Sequence, residues 1–154
     1  MSDRAGTVAT GTGPGRLLVA VYGVFALAAG ARAGVQIATR FDEAPVAYLL
    51  SALAAAVYVL ATVALAAGGH ASRRIAAAAC SVELAGVLAI GTYSLVDPSS
   101  FPDETVWSAY GRGYGFVPLV LPVIGLAWLW RTGRAGQRDG ARETGEKKTR
   151  TSAS

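Results

Sequence analysis

Four apolar runs alternate with short polar stretches along this chain, over residues 17–39, 45–67, 75–96 and 115–130. Ala, Leu, Val and Gly dominate each run. None breaks into the frequent apolar–polar alternation that a water-soluble core of this size would need. A helix needs about 20 apolar residues to cross the ~30 Å hydrocarbon layer of a bilayer, and the first three runs reach that length. The first is too long for a secretory leader, whose apolar region is about 7–15 residues. The fourth, about 16 residues, is near the lower limit for crossing. Helices satisfy their own backbone in lipid, which an isolated strand cannot do. The pattern therefore predicts an all-α fold, a membrane bundle of four transmembrane helices.

Local signals set the bounds. Pro45 suits a first helical turn, where its missing N–H costs nothing. Gly68 and Gly69 close the second span as expected past a helix C-terminus. Asp97 and Pro98 stop the third. Pro118 fits the first turn of the fourth, and Pro122 should kink it. Residues 1–16 read as a flexible N-terminal segment, residues 17–131 as the membrane domain, and residues 132–154 as a disordered basic tail.

Charge adds an orientation. The net charge is +4, and its placement is uneven. The connection between spans two and three carries Arg73 and Arg74 and no acid. The tail carries Arg131, Arg134, Arg138, Arg142, Lys147, Lys148 and Arg150, and the N-terminal segment carries Arg4 and Arg16. The other two connections hold only Arg40 and Arg112, beside Asp42, Glu43, Asp97, Asp103 and Glu104. Lysine and arginine mark the cytoplasmic side, which places both termini and the middle connection there. Trp128 and Trp130 would anchor the inner interface, and Trp107, Tyr110, Tyr114 and Tyr48 the outer one. Arginine outnumbers lysine twelve to two, which fits a GC-rich bacterial genome and so a bacterial plasma membrane. A single cysteine, Cys80, excludes an internal disulfide, and with a single histidine, His70, it argues against a metal site. No cofactor is expected.

Two ionisable residues fall inside spans. Arg32 lies in span one and Glu83 in span three. Either charge facing lipid alone would cost about 2.5–3.5 kcal/mol on insertion scales, so each should face the bundle interior and find a partner. At 1.5 Å per residue Arg32 stands about 22 Å above the start of its span and Glu83 about 12 Å above the start of its own. A long arginine side chain and a few residues of boundary error could close that gap. A structural clamp and a coupling or substrate site are both open readings of the pair, and a Glu83 kept neutral by desolvation is a third. Arg32, Gln36 and Arg40 are spaced by four and share a face. With Tyr48, Ser51, Thr92, Tyr93 and Ser94 they could line a polar cavity open to the outside. Snorkelling to the outer headgroups would explain Arg40 fully and Arg32 poorly.

Gly30 and Gly34 form a GxxxG spacing, with Gly23 on the same side. This glycine face is opposite Arg32, so span one is either central in the bundle or dimerises through its glycines. Ser81, Ala85 and Ala89 make a small-residue stripe on span three. The outer connection, DPSSFPDETVWSAYGRGYG, predicts a short interfacial helix opening at Ser100 or Pro102. Asp103 and Glu104 would occupy its first turn, and Val106, Trp107 and Tyr110 would share its apolar face. Gly111, Gly113 and Gly115 would turn the chain past Arg112 into span four. The GRGYG stretch lacks the Lys-Ser/Thr ending of a phosphate loop. Cation binding by Asp103 and Glu104 is a minor reading. The basic tail should attract anionic lipid headgroups, and with no aromatic residues between its charges it is a poor fit to nucleic acid.

The stretches ARAGVQIATRF, EAPVAYLLSALAAAVYVLA, CSVELAGVLAIGTYSL and FPDETVWSAYGRGYGFVPLVLPVIGLAWL together resemble a group of small actinobacterial integral membrane proteins. The resemblance covers roughly residues 17–131. It implies a four-helix fold and a membrane location and carries no activity with it.

The expected function is non-enzymatic assembly, with itself or with a partner membrane protein. No nucleophile–base or metal constellation is present to suggest an enzyme. The runner-up is a small transporter or exporter subunit using Glu83 and Arg32 as coupling residues.

Overall fold

The computed structural model describes residues 13–151, and for several residues beyond 135 the backbone alone. The segment 1–12, read above as flexible, lies outside the described residues. Four helices run in chain order: α1 Pro14–Arg40, α2 Pro45–Ala67, α3 His70–Val96 and α4 Val117–Thr151. Short 3-10 turns occupy Phe41–Glu43, Pro98–Ser100 and Ser108–Tyr114. Among the described residues there is no strand. The helices α1, α2 and α3 are each long and apolar enough to cross a membrane. The segment Ser108–Tyr114 and the first part of α4 pass the same test as one unit, bent by 98° between them.

The observed bounds of α2 match the expected ones, and Pro45 is at its first position. The connection to α3 is shorter than expected. Gly68 and Gly69 make the whole turn at φ 66° and 91°, a region open to glycine at no steric cost. Helix α3 therefore begins at His70, five residues early, and Arg73 and Arg74 stand in its first turns rather than in a loop. Helix α1 begins at Pro14, which occupies its first turn. The largest departure is α4. It is helical from Val117 to Thr151, so the segment expected to be disordered from residue 132 continues the helix. Ala, Arg, Lys, Gln and Glu, all good helix formers, make up much of that stretch and carry the helix past its last apolar turn. It also continues through Pro122, which is fully buried.

The distribution of side chains is the reverse of a water-soluble bundle. The interior is built largely of small residues and tyrosines: Ala29, Ala33, Ala54, Ala61, Ala76, Ala79, Tyr22, Tyr48 and Tyr58 are all buried. The perimeter carries Leu17, Val24, Leu27, Leu53, Val63, Val82, Leu88, Val96 and Val123, all at least 47% exposed. Small interior residues let helix backbones approach closely, the usual basis of packing where lipid removes the hydrophobic drive between helices. Gly23 faces Thr62 and Gly30 faces Ala55, both on α2. The glycine face of α1 is thus used inside the chain, and Gly34 alone of the three has open space beside it. Ser81, Ala85 and Ala89 on α3 are exposed.

The 97–116 connection does not form the expected interfacial helix. Its backbone turns instead through three successive left-handed residues, Ala109, Tyr110 and Gly111, at φ 47°, 60° and 78°. Such conformations cost a non-glycine residue about 1–2 kcal/mol each. Packing holds them. Trp107, expected at the membrane interface, is only 2% exposed, and its ring covers Gly86 of α3, where an added Cβ would lie 2.7 Å from the ring. Tyr110 covers Gly91 in the same way, at 2.6 Å. The connection folds down into the bundle because α3 has two glycines that accept an indole and a phenol. Replacing Gly86 with alanine should push Trp107 out of its seat. Thermal unfolding in detergent should show about 1–3 kcal/mol of lost stability, the usual cost of overpacking, and tryptophan emission should shift to the red.

Candidate functional site: a buried carboxyl and an outer ion pair

Glu83 is fully buried, and every helix contributes to its surroundings. Tyr22 of α1 donates from its hydroxyl to Glu83 Oε2 at 2.8 Å. The same hydroxyl lies 3.3 Å from Cys80 Sγ, one turn below Glu83 on α3. Gly125 of α4 closes this side, since a Cβ there would sit 3.0 Å from Cys80 Sγ and 3.5 Å from the Tyr22 hydroxyl. Tyr58 of α2 packs its ring against Tyr22 in a tilted arrangement, 6.2 Å between centroids and 53° between planes. Its hydroxyl lies near both the Glu83 carboxyl and the Trp107 indole. Glu83 Oε1, the Tyr58 hydroxyl and Trp107 Nε1 are buried without a completed hydrogen bond. Their chemistry is complementary: the indole only donates, the phenol donates and accepts, and the carboxylate accepts.

Arg32 does not pair with Glu83. It is drawn to the top of the bundle, where Nη2 lies 3.9 Å from Asp103 Oδ1 and Nη1 donates to the Tyr114 hydroxyl at 3.1 Å. The guanidinium also stands 5.9 Å from the centre of the Tyr114 ring. Gln36 donates to the other oxygen of Asp103 at 3.1 Å. Asp103 thus receives Arg32 and Gln36 of the α1 stripe, brought there by the folded-down connection, while Arg40 pairs with Glu43 at 3.9 Å. The gap in height between Arg32 and Glu83 left each with a nearer partner.

A cavity of about 580 Å³ opens among Arg32, Val35, Gln36, Arg40 and Asp103. The other residues expected to line it do not border it, although the Tyr48 hydroxyl lies close to Asp103. Tyr48 is buried among Ala44, Ala47, Ile37 and Phe101, and Ser51 is buried within the bundle. Tyr93 bonds Ser100 at 3.2 Å and packs edge-on to Phe101. Ser94 accepts from the Ala109 N–H at 2.9 Å, and Thr92 meets the Tyr110 hydroxyl at 2.9 Å. The polar end of α3 therefore holds the connection in place and does not form a wall of the cavity. Within the connection, Thr105 and Ser108 exchange buried hydrogen bonds that fix its turn.

The acids of the connection diverge. Asp103 faces Arg32, and Glu104 pairs on the surface with Arg112 at 3.7 Å. Among the described residues no cluster of three possible metal ligands occurs. Asp97, just past the end of α3, accepts from the Ser100 and Ser99 hydroxyls, which hold its carboxyl below the usual range. That contribution to the turn is fully present above the ordinary carboxylate pKa and is lost as pH falls below it through the lowered pKa of the folded state.

The aromatic rings join the two centres. Tyr22 contacts Tyr58, Tyr58 contacts Phe25 at 6.0 Å, and Phe25 contacts Tyr114 at 6.1 Å. Sequence reasoning found Arg32, Gln36, Asp103 and Glu83 but missed Tyr22, Tyr58, Gly86, Gly91 and Gly125. The available signal was a set of tyrosines and glycines inside apolar runs, placed where a larger or wholly apolar residue would otherwise be expected.

No family model, curated protein or solved structure matches this chain.

Removing one partner of a buried bond exposes the other to the full cost of desolvation, about 1–3 kcal/mol. Tyr22→Phe should lower stability by that amount in micelles. Asp103→Asn acts on a pair that is 42% and 34% exposed, where such pairs contribute about 0–1 kcal/mol, and should cost less. Denaturant or thermal unfolding of the two variants side by side checks the order.

Proposed function

We propose that this chain is a multi-pass membrane protein that works by assembly, as an accessory to itself or to a partner membrane protein, and not by catalysis. The observation that carries the reading is the reversed distribution of side chains: large apolar residues cover the perimeter, while small residues, tyrosines and one acid fill the interior. In this reading the bent Ser108–Tyr114 segment and α4 together form a fourth span. The end of the bundle holding Asp103 faces out, and the end holding Arg73 faces the cytoplasm with both termini, as the distribution of basic residues favours. A bacterial cell membrane fits the arginine-rich composition, and the chain would stand with the small actinobacterial membrane proteins it resembles.

Glu83 acts in this reading as a clamp. It does not border the outer cavity, and its partners come from within the bundle. A coupling pair in a transporter would need Arg32 and Glu83 to act on one another, and each has its own partner instead. The outer cavity bordered by Arg32, Gln36, Arg40 and Asp103 is the natural place for recognition. Since Gly23 and Gly30 are used against α2, close contact with a second helix would fall on the exposed Ser81, Ala85 and Ala89 face.

Two measurements test this. Glu83→Ala should destabilise the bundle by about 1–3 kcal/mol through the unmet Tyr22 hydroxyl, and Glu83→Gln, which keeps the acceptor, should lose less than half of that. A well-folded Glu83→Gln protein that abolishes a transport or resistance phenotype would favour the transporter. Cross-linking through cysteine at Ala85 should give a dimer or a joined partner in native membranes. A strict monomer with nothing co-purifying would contradict assembly.

A further inference from the structure

The cytoplasmic-side end of the bundle carries a second, chemically different feature. A cavity of about 580 Å³ lies between α3 and α4, with His70, Arg73 and Arg74 along one edge and Leu126, Ala127 and Trp130 along the other. It runs on into a further hollow of about 610 Å³ that adds Arg134. The Arg134 guanidinium stacks 3.9 Å from the centre of the Trp130 ring, which is itself 66% exposed. Arg73 is already positioned: its Nη2 donates to the Leu129 carbonyl at 2.5 Å and to the Thr132 hydroxyl at 2.9 Å, tying α3 to α4 across the floor. Among the described residues no ion pair involves Arg73, Arg74 or Arg134. The cap residue of α3, Gly69, offers no side chain to its first N–H groups, which therefore add to the positive field at this edge.

We propose that this cleft is a binding site for one acidic phospholipid. Three arginines and a helix N-terminus, with no counter-charge paired to them among the described residues, select a phosphate-bearing headgroup, and guanidinium groups bind phosphate through paired N–H donors. The apolar wall selects against a free anion. It continues upward into the exposed Val123 and Ile124 of α4, so an acyl chain can follow the seam while the headgroup stays at the basic edge. Basic pockets between spans on the cytoplasmic side are a recognised setting for acidic lipids. The site is distinct from the general attraction of the basic tail, since Arg142 and Lys148 lie farther along α4 and do not border the cleft. The inference rests on the membrane reading above.

The full chain, purified in mild detergent, is examined by native mass spectrometry with phosphatidylglycerol, phosphatidylcholine or inorganic phosphate. One phosphatidylglycerol should be retained per chain, about tenfold in preference to phosphatidylcholine, and inorganic phosphate at the same concentration should not displace it. The pair Arg74→Gln and Arg134→Gln should reduce that retention at least fivefold. Ala127→Trp, which fills the apolar wall, should do the same, while Arg142→Gln should leave it unchanged. Arg74 is exposed, so its variant should keep the parent unfolding temperature. Equal retention of both lipids, displacement by inorganic phosphate, or an equal loss with Arg142→Gln would each overturn the site. Carbonate extraction of the parent protein separates the two levels. A chain that stays in the membrane without lipid preference loses only the site, and one released by carbonate loses the membrane reading as well.

Discussion

A carboxyl with no cation beside it among the described residues occupies the point where all four helices and the 97–116 connection converge, and much of the surrounding structure is arranged to tolerate it. Burying an acid requires hydrogen-bond donors close at hand. Tyr22 supplies one donor directly, and Tyr58 and Trp107 stand near enough to supply more. Bringing a tyrosine from α1 against α3 leaves no room on α4, hence Gly125. Bringing an indole down from the connection leaves no room on α3, hence Gly86. The left-handed turn at Ala109 to Gly111 follows in turn, because the backbone must reverse sharply once Trp107 and Tyr110 are seated. The rest of the interior is small because only small side chains let four helices approach such a centre.

The two ends of the bundle divide the remaining chemistry. Arg32, Gln36, Asp103 and Tyr114 knit α1 to the connection at one end. Arg73 ties α3 to α4 at the other through a backbone carbonyl and a hydroxyl, and among the described residues no ion pair joins the basic groups around it. Aromatic rings from Tyr22 to Tyr114 carry packing between the centre and the first of these ends. One end is thus closed by ion pairing and the other left positively charged, an asymmetry visible in the charges of the sequence before any coordinates.

Apolar length and loop punctuation revealed α2 to the residue and α1 nearly so, because hydrophobic runs and Gly or Pro boundaries are local features, but they set the start of α3 five residues late and ended α4 at residue 130, well before Thr151. The tail beyond residue 132 reads as disordered from its polarity, whereas helix propensity and continuation from a packed helix carry it on as helix. The Arg32–Glu83 pairing illustrates a different limit. Rise per residue gives the height of a side chain along its helix but not the direction in which its neighbours lie. Asp103 could reach Arg32 only because a connection read as a surface helix folds inward, and that folding depends on glycines at 86 and 91 far away in sequence. Trp107 was assigned to the interface for the same reason: its class is common there, and only tertiary packing placed it inside.

The interior around Glu83 is closed, with Glu83, Tyr22, Tyr58 and Cys80 all fully buried. Cys80 reports on it directly, since it is the chain's single cysteine, is buried, and lies 3.3 Å from the hydroxyl that binds Glu83. Membranes containing the native protein would be treated from each side with a small water-soluble maleimide, then denatured in detergent and treated again. A closed clamp leaves Cys80 unlabelled in the native state and fully labelled after denaturation. Rapid labelling of the native protein from either side would reveal an aqueous path to Glu83 and contradict the account.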